Sequence, residues 1–237
     1  DVTRLRSLEK TREHFVSNVS RELRTPLTVL KGYLEMTEEP PPPAMWAKAH
    51  KVMMEQTIRM DNLVNQLLTL SRIEAAPTVD LSHLVDMPAM LGLLEQEARA
   101  LSGESAHQIE FQVQSNLFVK GDRDQLRSAV SNLVYNAIHY TPAGRKITVE
   151  WHKQGAMALF VVQDEGEGIA PEHLTRLTER FYRVDKARSR HTGGSGLGLA
   201  IVKHALSHHD AQLEIESRVG QGSRFSFLIP GRMVVVK

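Results

Sequence analysis

The chain has 237 residues, of which 41% are hydrophobic and 24% charged, with a net charge of +1 and no cysteine. That length allows one or two domains with buried cores. The missing cysteine excludes a disulfide framework and thiolate metal or nucleophile sites. The near-neutral charge gives no electrostatic case for nucleic acid, and no apolar run approaches the length that spans a bilayer.

Residues 1–36 read as one helix. Leu5, Leu8, Phe15, Val19, Leu23, Leu27, Leu30 and Leu34 recur mostly at intervals of three, four or seven, an apolar stripe at helical period. Pro26 removes one helical hydrogen bond and crowds the preceding turn, so a bend is expected beside Arg21. Prolines at 40–43 stop the helix. A second helix, about 44–74, carries Trp46, Met53, Met60, Leu63, Leu67 and Leu70 on one side. Two such stripes joined by a short turn cannot both be covered within one hairpin. A four-helix bundle made by two chains is the economical solution, with a monomeric hairpin packed on the rest of the chain as the alternative.

Composition changes at Ala75-Ala76-Pro77-Thr78, so residues 1–74 form a helical domain and 75–85 a linker. Beyond it, helix patterns at 87–101 and 124–139 alternate with strand patterns at 108–113, 117–119, 147–151, 158–162, 213–217 and 223–229. Gly220-Gln221-Gly222 makes a turn between the last two. The absence of a regular βαβ repeat points to an α+β layer of helices on one mixed sheet. This second domain covers 86–232, followed by a tail at 233–237.

Three segments of the second domain suggest a nucleotide pocket. Thr192-Gly193-Gly194-Ser195-Gly196-Leu197-Gly198 runs into a helix-like stretch at 200–206. Glycine lets backbone approach a phosphate, and a helix N-terminus behind it presents free N–H groups; a flexible connection is the plainer reading. No G-x-x-x-x-G-K-[ST] motif occurs. Asp164, followed by Gly166 and Gly168, ends an apolar strand; the pattern also suits a simple turn. Asn132 and Asn136 lie one turn apart and share a helix face, where their amides either face a ligand or bond local backbone. The long connection 170–198 is made basic by Arg183, Lys186, Arg188 and Arg190. It reads as a lid that clamps phosphate charge, or as a solvated charged loop.

These three segments, in this order, resemble the ATP-binding domain of sensor histidine kinases, of the same superfamily as gyrase and Hsp90. Ser20-Arg21-Glu22-Leu23-Arg24-Thr25-Pro26-Leu27 resembles that family's phosphoacceptor box, and residues 27–36 and 180–190 are similar to its phosphate-regulon branch. The resemblance implies an α+β multidomain chain. An antiparallel helical hairpin forms a dimeric four-helix bundle, and a histidine-kinase-type ATP-binding α/β sandwich follows. It implies ATP and Mg²⁺ as cofactors, with Asn136 as the Mg²⁺ ligand. It places Asn132, His139, Tyr140, Asp164, Gly166, Gly168, Arg183, Arg188, Gly194, Gly196, Leu197 and Gly198 at the nucleotide, Asp164 accepting the adenine amino group. It implies Glu22 as general base and Thr25 as the residue that positions water when a regulator is dephosphorylated. The implied partners are a second copy of the chain and a PhoB-like response regulator. The implied parent protein is bound to the bacterial inner membrane and faces the cytoplasm.

Two positions depart from the family pattern. Arg21 stands at the phosphoacceptor position, where the family has His. Guanidinium stays protonated and offers no lone pair, so autophosphorylation at 21 is not expected, and a non-catalytic pseudokinase becomes the alternative. His14, two turns upstream, returns to nearly the same face but lacks the surrounding motif. His139 stands where the family usually has Lys, a weaker and pH-sensitive phosphate partner.

Overall fold

The apolar stripe at the start of the chain forms α1 (Val2–Glu35), and the second forms α2 (Pro43–Ala75), in a computed structural model that describes residues 2–36, 42–76, 79–184 and 194–237. Pro26 lies inside α1 and is buried, and the helix continues across it. One missing N–H removes one rung, which a helix of this length tolerates. The chain divides into two compact units, Asp1–Leu68 and Thr69–Lys237. The division falls before the expected boundary at 74, because the last turns of α2 carry Leu70 and Ile73, both buried, and group with the second unit.

In the first unit Ala49 and Leu63 are buried, while Val16, Leu27 and Leu34 of α1 are exposed. These three recur after roughly three and two turns, so they fall within about 20° of one line along the helix. On α2, Trp46, Met54, Ile58, Val64 and Leu68 are likewise exposed and share an arc of about 120°.

The second unit is built on a mixed five-stranded sheet of order β2-β4-β5-β7-β6. Its strands are β2 (Gln108–Val113), β4 (Lys146–Gln154), β5 (Met157–Asp164), β6 (Glu214–Arg218) and β7 (Gly222–Ile229). β2 runs parallel to β4, and the other neighbours are antiparallel. The apolar run Ala158–Val162 makes β5 a central strand buried on both faces, whereas β4 alternates. A second sheet of order β1-β3-β8 joins β1 (Leu84–Val85), β3 (Leu117–Lys120) and β8 (Val234–Val236). The residues expected to be linker and tail therefore supply two of its strands. Val234, Val235 and Val236 pair with β3, a β-branched run that suits a pleated surface.

Helices α3 (Met87–Ser102), α4 (Arg123–Tyr140) and α6 (Gly198–His208) accompany the sheet, with a short α5 (Pro171–Leu174) in the connection after β5. Asp86 caps α3 by accepting from the Ala89 amide, and Asp122 caps α4 by accepting from the Asp124 and Gln125 amides. α4 buries Leu126, Ala129, Val130, Leu133, Val134 and Ala137, an i, i+3, i+4 face, against the core. Trp151 is fully buried and its indole N–H donates to the Leu117 carbonyl at 3.0 Å, linking the two sheets. Phe160 and Phe227 stack at 5.1 Å across β5 and β7. His209 is also fully buried. Its Nε2 accepts from the Asp122 amide at 3.0 Å and its Nδ1 donates to the Ala205 carbonyl at 2.7 Å, so the ring is neutral and ties the start of α4 to the end of α6. Burial lowers its pKa, consistent with that tautomer.

Candidate nucleotide site and acceptor helix

Asp164 ends β5 and is buried. Its Oδ1 accepts from the Gly166 amide at 2.8 Å and the Ser223 amide at 3.2 Å. Both bonds fall on one oxygen, which leaves the other edge of the carboxylate for a ligand donor. Burial raises the Asp164 pKa, and the two amide hydrogen bonds oppose that rise.

The glycines around Asp164 are set by close approach. A Cβ on Gly166 would lie 2.8 Å from the Tyr140 carbonyl and 2.7 Å from Asp164 Oδ1, and one on Gly222 would lie 1.9 Å from the Asp164 carbonyl. Gly168, at φ +73°, passes so near the β6–β7 turn that a Cβ would fall 2.1 Å from the Arg218 carbonyl. Sequence reasoning read Gly220–Gly222 only as a turn. The structure makes that hairpin, with Ser217, a wall of the Asp164 loop. The Ser217 hydroxyl donates to the Gly222 carbonyl at 3.0 Å and accepts from the Ile169 amide at 2.8 Å, and it lies 2.8 Å from Ser223 Oγ. The available signal was the Gly-x-Gly-Ser spacing after an alternating strand.

Asn132 and Asn136 are both half-buried on one side of α4. Asn132 Nδ2 donates to the Ser128 carbonyl at 2.7 Å, the local backbone bond that competes with ligand binding. Its Oδ1 nonetheless faces α6, since a Cβ on Gly198 would lie 2.6 Å from it. Gly198 begins α6, whose start has no side-chain cap hydrogen bond among the described residues; a helix start presents N–H groups that suit an anion. Tyr140 is half-exposed, and its hydroxyl is 3.5 Å from a Cβ placed on Gly194. Gly196, at φ +74°, receives the Phe181 amide on its carbonyl at 2.8 Å, which brings the segment before Arg183 against the glycine run. Tyr182 is held by a 2.6 Å hydrogen bond between its hydroxyl and His173 Nδ1, with Arg176 over its ring.

The structure therefore brings together Asn132 with Gly198, Tyr140 with Gly166 and Gly194, and Asp164 with Gly166 and Ser223. The Leu197 side chain is fully buried in the core, as an apolar residue ahead of a packed helix requires, and its backbone N–H donates to Ser195 Oγ in the loop at 3.1 Å. His139 is exposed at the end of α4, and desolvation by the surrounding protein lowers its pKa. Arg183 is half-buried. Arg188, with Lys186 and Arg190, lies outside the described residues. The donor set fits a nucleotide and a hard cation: a buried carboxylate edge, amide oxygens on a helix face, glycine backbone and an open helix start.

Residues 11–76 match the His Kinase A (phospho-acceptor) domain, and residues 121–233 match the Histidine kinase-, DNA gyrase B-, and HSP90-like ATPase. The chain belongs to the sensor histidine kinases. It is 47% identical over 230 residues to the Phosphate regulon sensor protein PhoR of Pseudomonas aeruginosa, covering 95% of this chain and 52% of that protein. It is 45% identical over 238 residues to the PhoR of Haemophilus influenzae, covering 100% and 56%. The chain thus spans about half the length of these curated relatives. Among solved structures, Acinetobacter baumannii histidine kinase AdeS matches with a TM-score of 0.68 at 25% identity, covering 88% of this chain and 96% of that one. Full-length ShkA in complex with AMPPNP matches at 0.66 and 25% identity, covering 94% and 46%.

The matched phospho-acceptor domain takes in most of α1 and all of α2. Arg21 is exposed, and its Nη2 donates to Asn18 Oδ1 at 2.8 Å. Glu22, beside it, is half-buried and pairs with Arg59 of α2 at 3.7 Å. Thr25 is exposed and its hydroxyl donates to the Arg21 carbonyl at 3.3 Å. Among the described residues no helix is long and apolar enough to cross a membrane.

Proposed function

We propose that this chain is the ATP-binding and acceptor-helix portion of a PhoR-type sensor histidine kinase, and that Arg21 leaves it unable to autophosphorylate at that position. ATP is the phosphoryl donor. Asp164 reads the adenine amino group; Asn132, Tyr140, His139, Arg183 and Arg188 line or approach the phosphates; Gly166, Gly168, Gly194, Gly196 and Gly198 admit the nucleotide. Mg²⁺, held by Asn136, neutralises phosphate charge when bound. A His at position 21 would attack the γ-phosphorus with its ring nitrogen, release ADP and pass the phosphoryl group to an aspartate of a PhoB-like response regulator. The guanidinium at 21 has no such lone pair, and its exposure at that place on α1 carries the proposal.

Thr25 remains to position water, with Glu22, the general base of the kinase reaction, close by on α1. Dephosphorylation of the regulator is therefore the activity that survives, Thr25 orienting the water. A pseudokinase that binds ATP or the regulator without phosphoryl transfer is the second reading, and Arg21 is what favours it. Exposed apolar faces on α1 and α2 support a homodimer through a four-helix bundle. We place the parent protein in the bacterial inner membrane, facing the cytoplasm.

The test is autophosphorylation with γ-labelled ATP and Mg²⁺, comparing this chain with Arg21→His. Label on the His variant alone is expected. Label on both chains would identify another acceptor, His14 first. Label on neither would place the defect in the nucleotide pocket and overturn the reading. A phosphorylated PhoB-like regulator added to the unaltered chain then separates a phosphatase, which releases phosphate, from an inert partner.

A further inference from the structure

We infer that Tyr135 is a positioning residue, fixing through Glu97 the rotation of α4 and hence the place of Asn136. The Tyr135 hydroxyl donates to Glu97 Oε2 at 2.6 Å. Arg127, roughly two turns earlier on α4, donates to the same oxygen. One carboxylate on α3 thus grips α4 at two levels. α3 is itself seated in the core through Met90, Leu91, Leu94 and Ala98, so the grip has a firm base.

The gripped row is Arg127, Ser131 and Tyr135. The row Ser128, Asn132 and Asn136 lies one residue further on, about 100° around the same helix. A helix turns as a body, so holding one row sets the other. Side-chain ends ride about 5–6 Å from the axis, and a rotation of about 10° carries the Asn136 amide about 1 Å. That is the scale at which ligand and reaction geometry fails. On the other side, Asn132 Oδ1 meets α6 at Gly198, where a Cβ would come within 2.6 Å. α4 therefore comes close to α6 at Gly198 on one side and is held by the Glu97 grip on the other. None of Tyr135, Glu97 or Arg127 needs to touch the nucleotide.

This inference rests on the reading of Asn136 as the Mg²⁺ ligand, and the experiment separates the two. Calorimetric titration with ATP in Mg²⁺ and in chelator gives two dissociation constants, whose ratio isolates the metal-dependent gain. Asn136→Ala should abolish that gain. Tyr135→Phe, which removes only the donor, should weaken MgATP binding about threefold to tenfold and Mg²⁺-free binding less than twofold, with Tm nearly unchanged. Glu97→Ala, which also releases Arg127, should weaken MgATP binding at least as much, and the double variant should be no worse than Glu97→Ala, because Tyr135 acts through that carboxylate. If Tyr135→Phe keeps the full gain, or loses both affinities equally, the positioning role is overturned while the Asn136 reading stands. If Asn136→Ala keeps the gain, or the unaltered chain shows none, the metal reading falls and the positioning role falls with it.

Discussion

The helical hairpin and the ATP-binding unit solve the problem of apolar surface in opposite ways. The second unit buries its apolar face within one chain: β5 is covered on both sides, and Trp151, Phe160 and Phe227 are enclosed. The hairpin does not, leaving Leu34 at 59%, Val16 at 56%, Ile58 at 53% and Leu27 at 52% exposure. Full burial of one such side chain is worth about 1.5–3 kcal/mol, so a second copy has much to offer the hairpin. The closed unit instead departs from ideal packing at its site, where the Asp164 carboxyl is buried and glycines stand where larger residues cannot.

The comparison breaks first at Trp151. Trp151→Ala should cost the ATP-binding unit about 3–5 kcal/mol, a large share of the about 5–15 kcal/mol that holds a domain together, read as a lower denaturant midpoint. The same chain should still dimerise if the hairpin's partner is another hairpin. The converse variant is Leu27→Asp. It should raise the dimer dissociation constant about a hundredfold or more, seen by sedimentation, with the nucleotide site unaffected. A monomeric unaltered chain would remove the premise.

Asp164→Asn sharpens the contrast between packing and function. Asparagine still accepts from the Gly166 and Ser223 amides but loses the charge that an adenine amino group prefers, so ATP affinity should fall about tenfold or more. Stability should move the other way. Burial raises the folded-state pKa of Asp164 above its ordinary value, so the folded unit binds that proton more tightly than the unfolded chain. Stability then falls as pH rises from the ordinary carboxylate range to the raised value, and the loss is complete above it. Asp164→Asn should therefore raise Tm at pH 7, with the advantage vanishing in acid. The smallest effect belongs to the Lys31–Glu35 pair, solvated on both sides. Lys31→Ala should shift stability by less than about 0.5 kcal/mol, in thermal unfolding at low salt.

Much of this was legible in the residues. The three-and-four spacing of α1 and α2 gave both helices almost to their ends, because a long amphipathic helix announces itself in every turn. The Asn132–Asn136 pair, the Asp164 loop and the glycine run could each be picked out as a candidate from neighbouring residues, since each is a local chemical pattern. Less visible were the short strands β1 and β8, two and three residues long, whose only reason to be strands is β3 between them. Nor did the residues show that the Leu197 side chain is fully buried while its backbone stays in the glycine loop.

By itself the sequence determined the two kinds of unit, the approximate extent of their long helices, and the chemistry of Arg21, since a guanidinium is charged wherever it sits. Only the tertiary structure decided which partners meet across the chain. Ser217 closes the Asp164 loop from strands that lie some fifty residues on, and Glu97 reaches Tyr135 from another helix. Such contacts depend on how sheet and helix layers stack, and the side chains that make them carry no periodicity a reader of the sequence could follow.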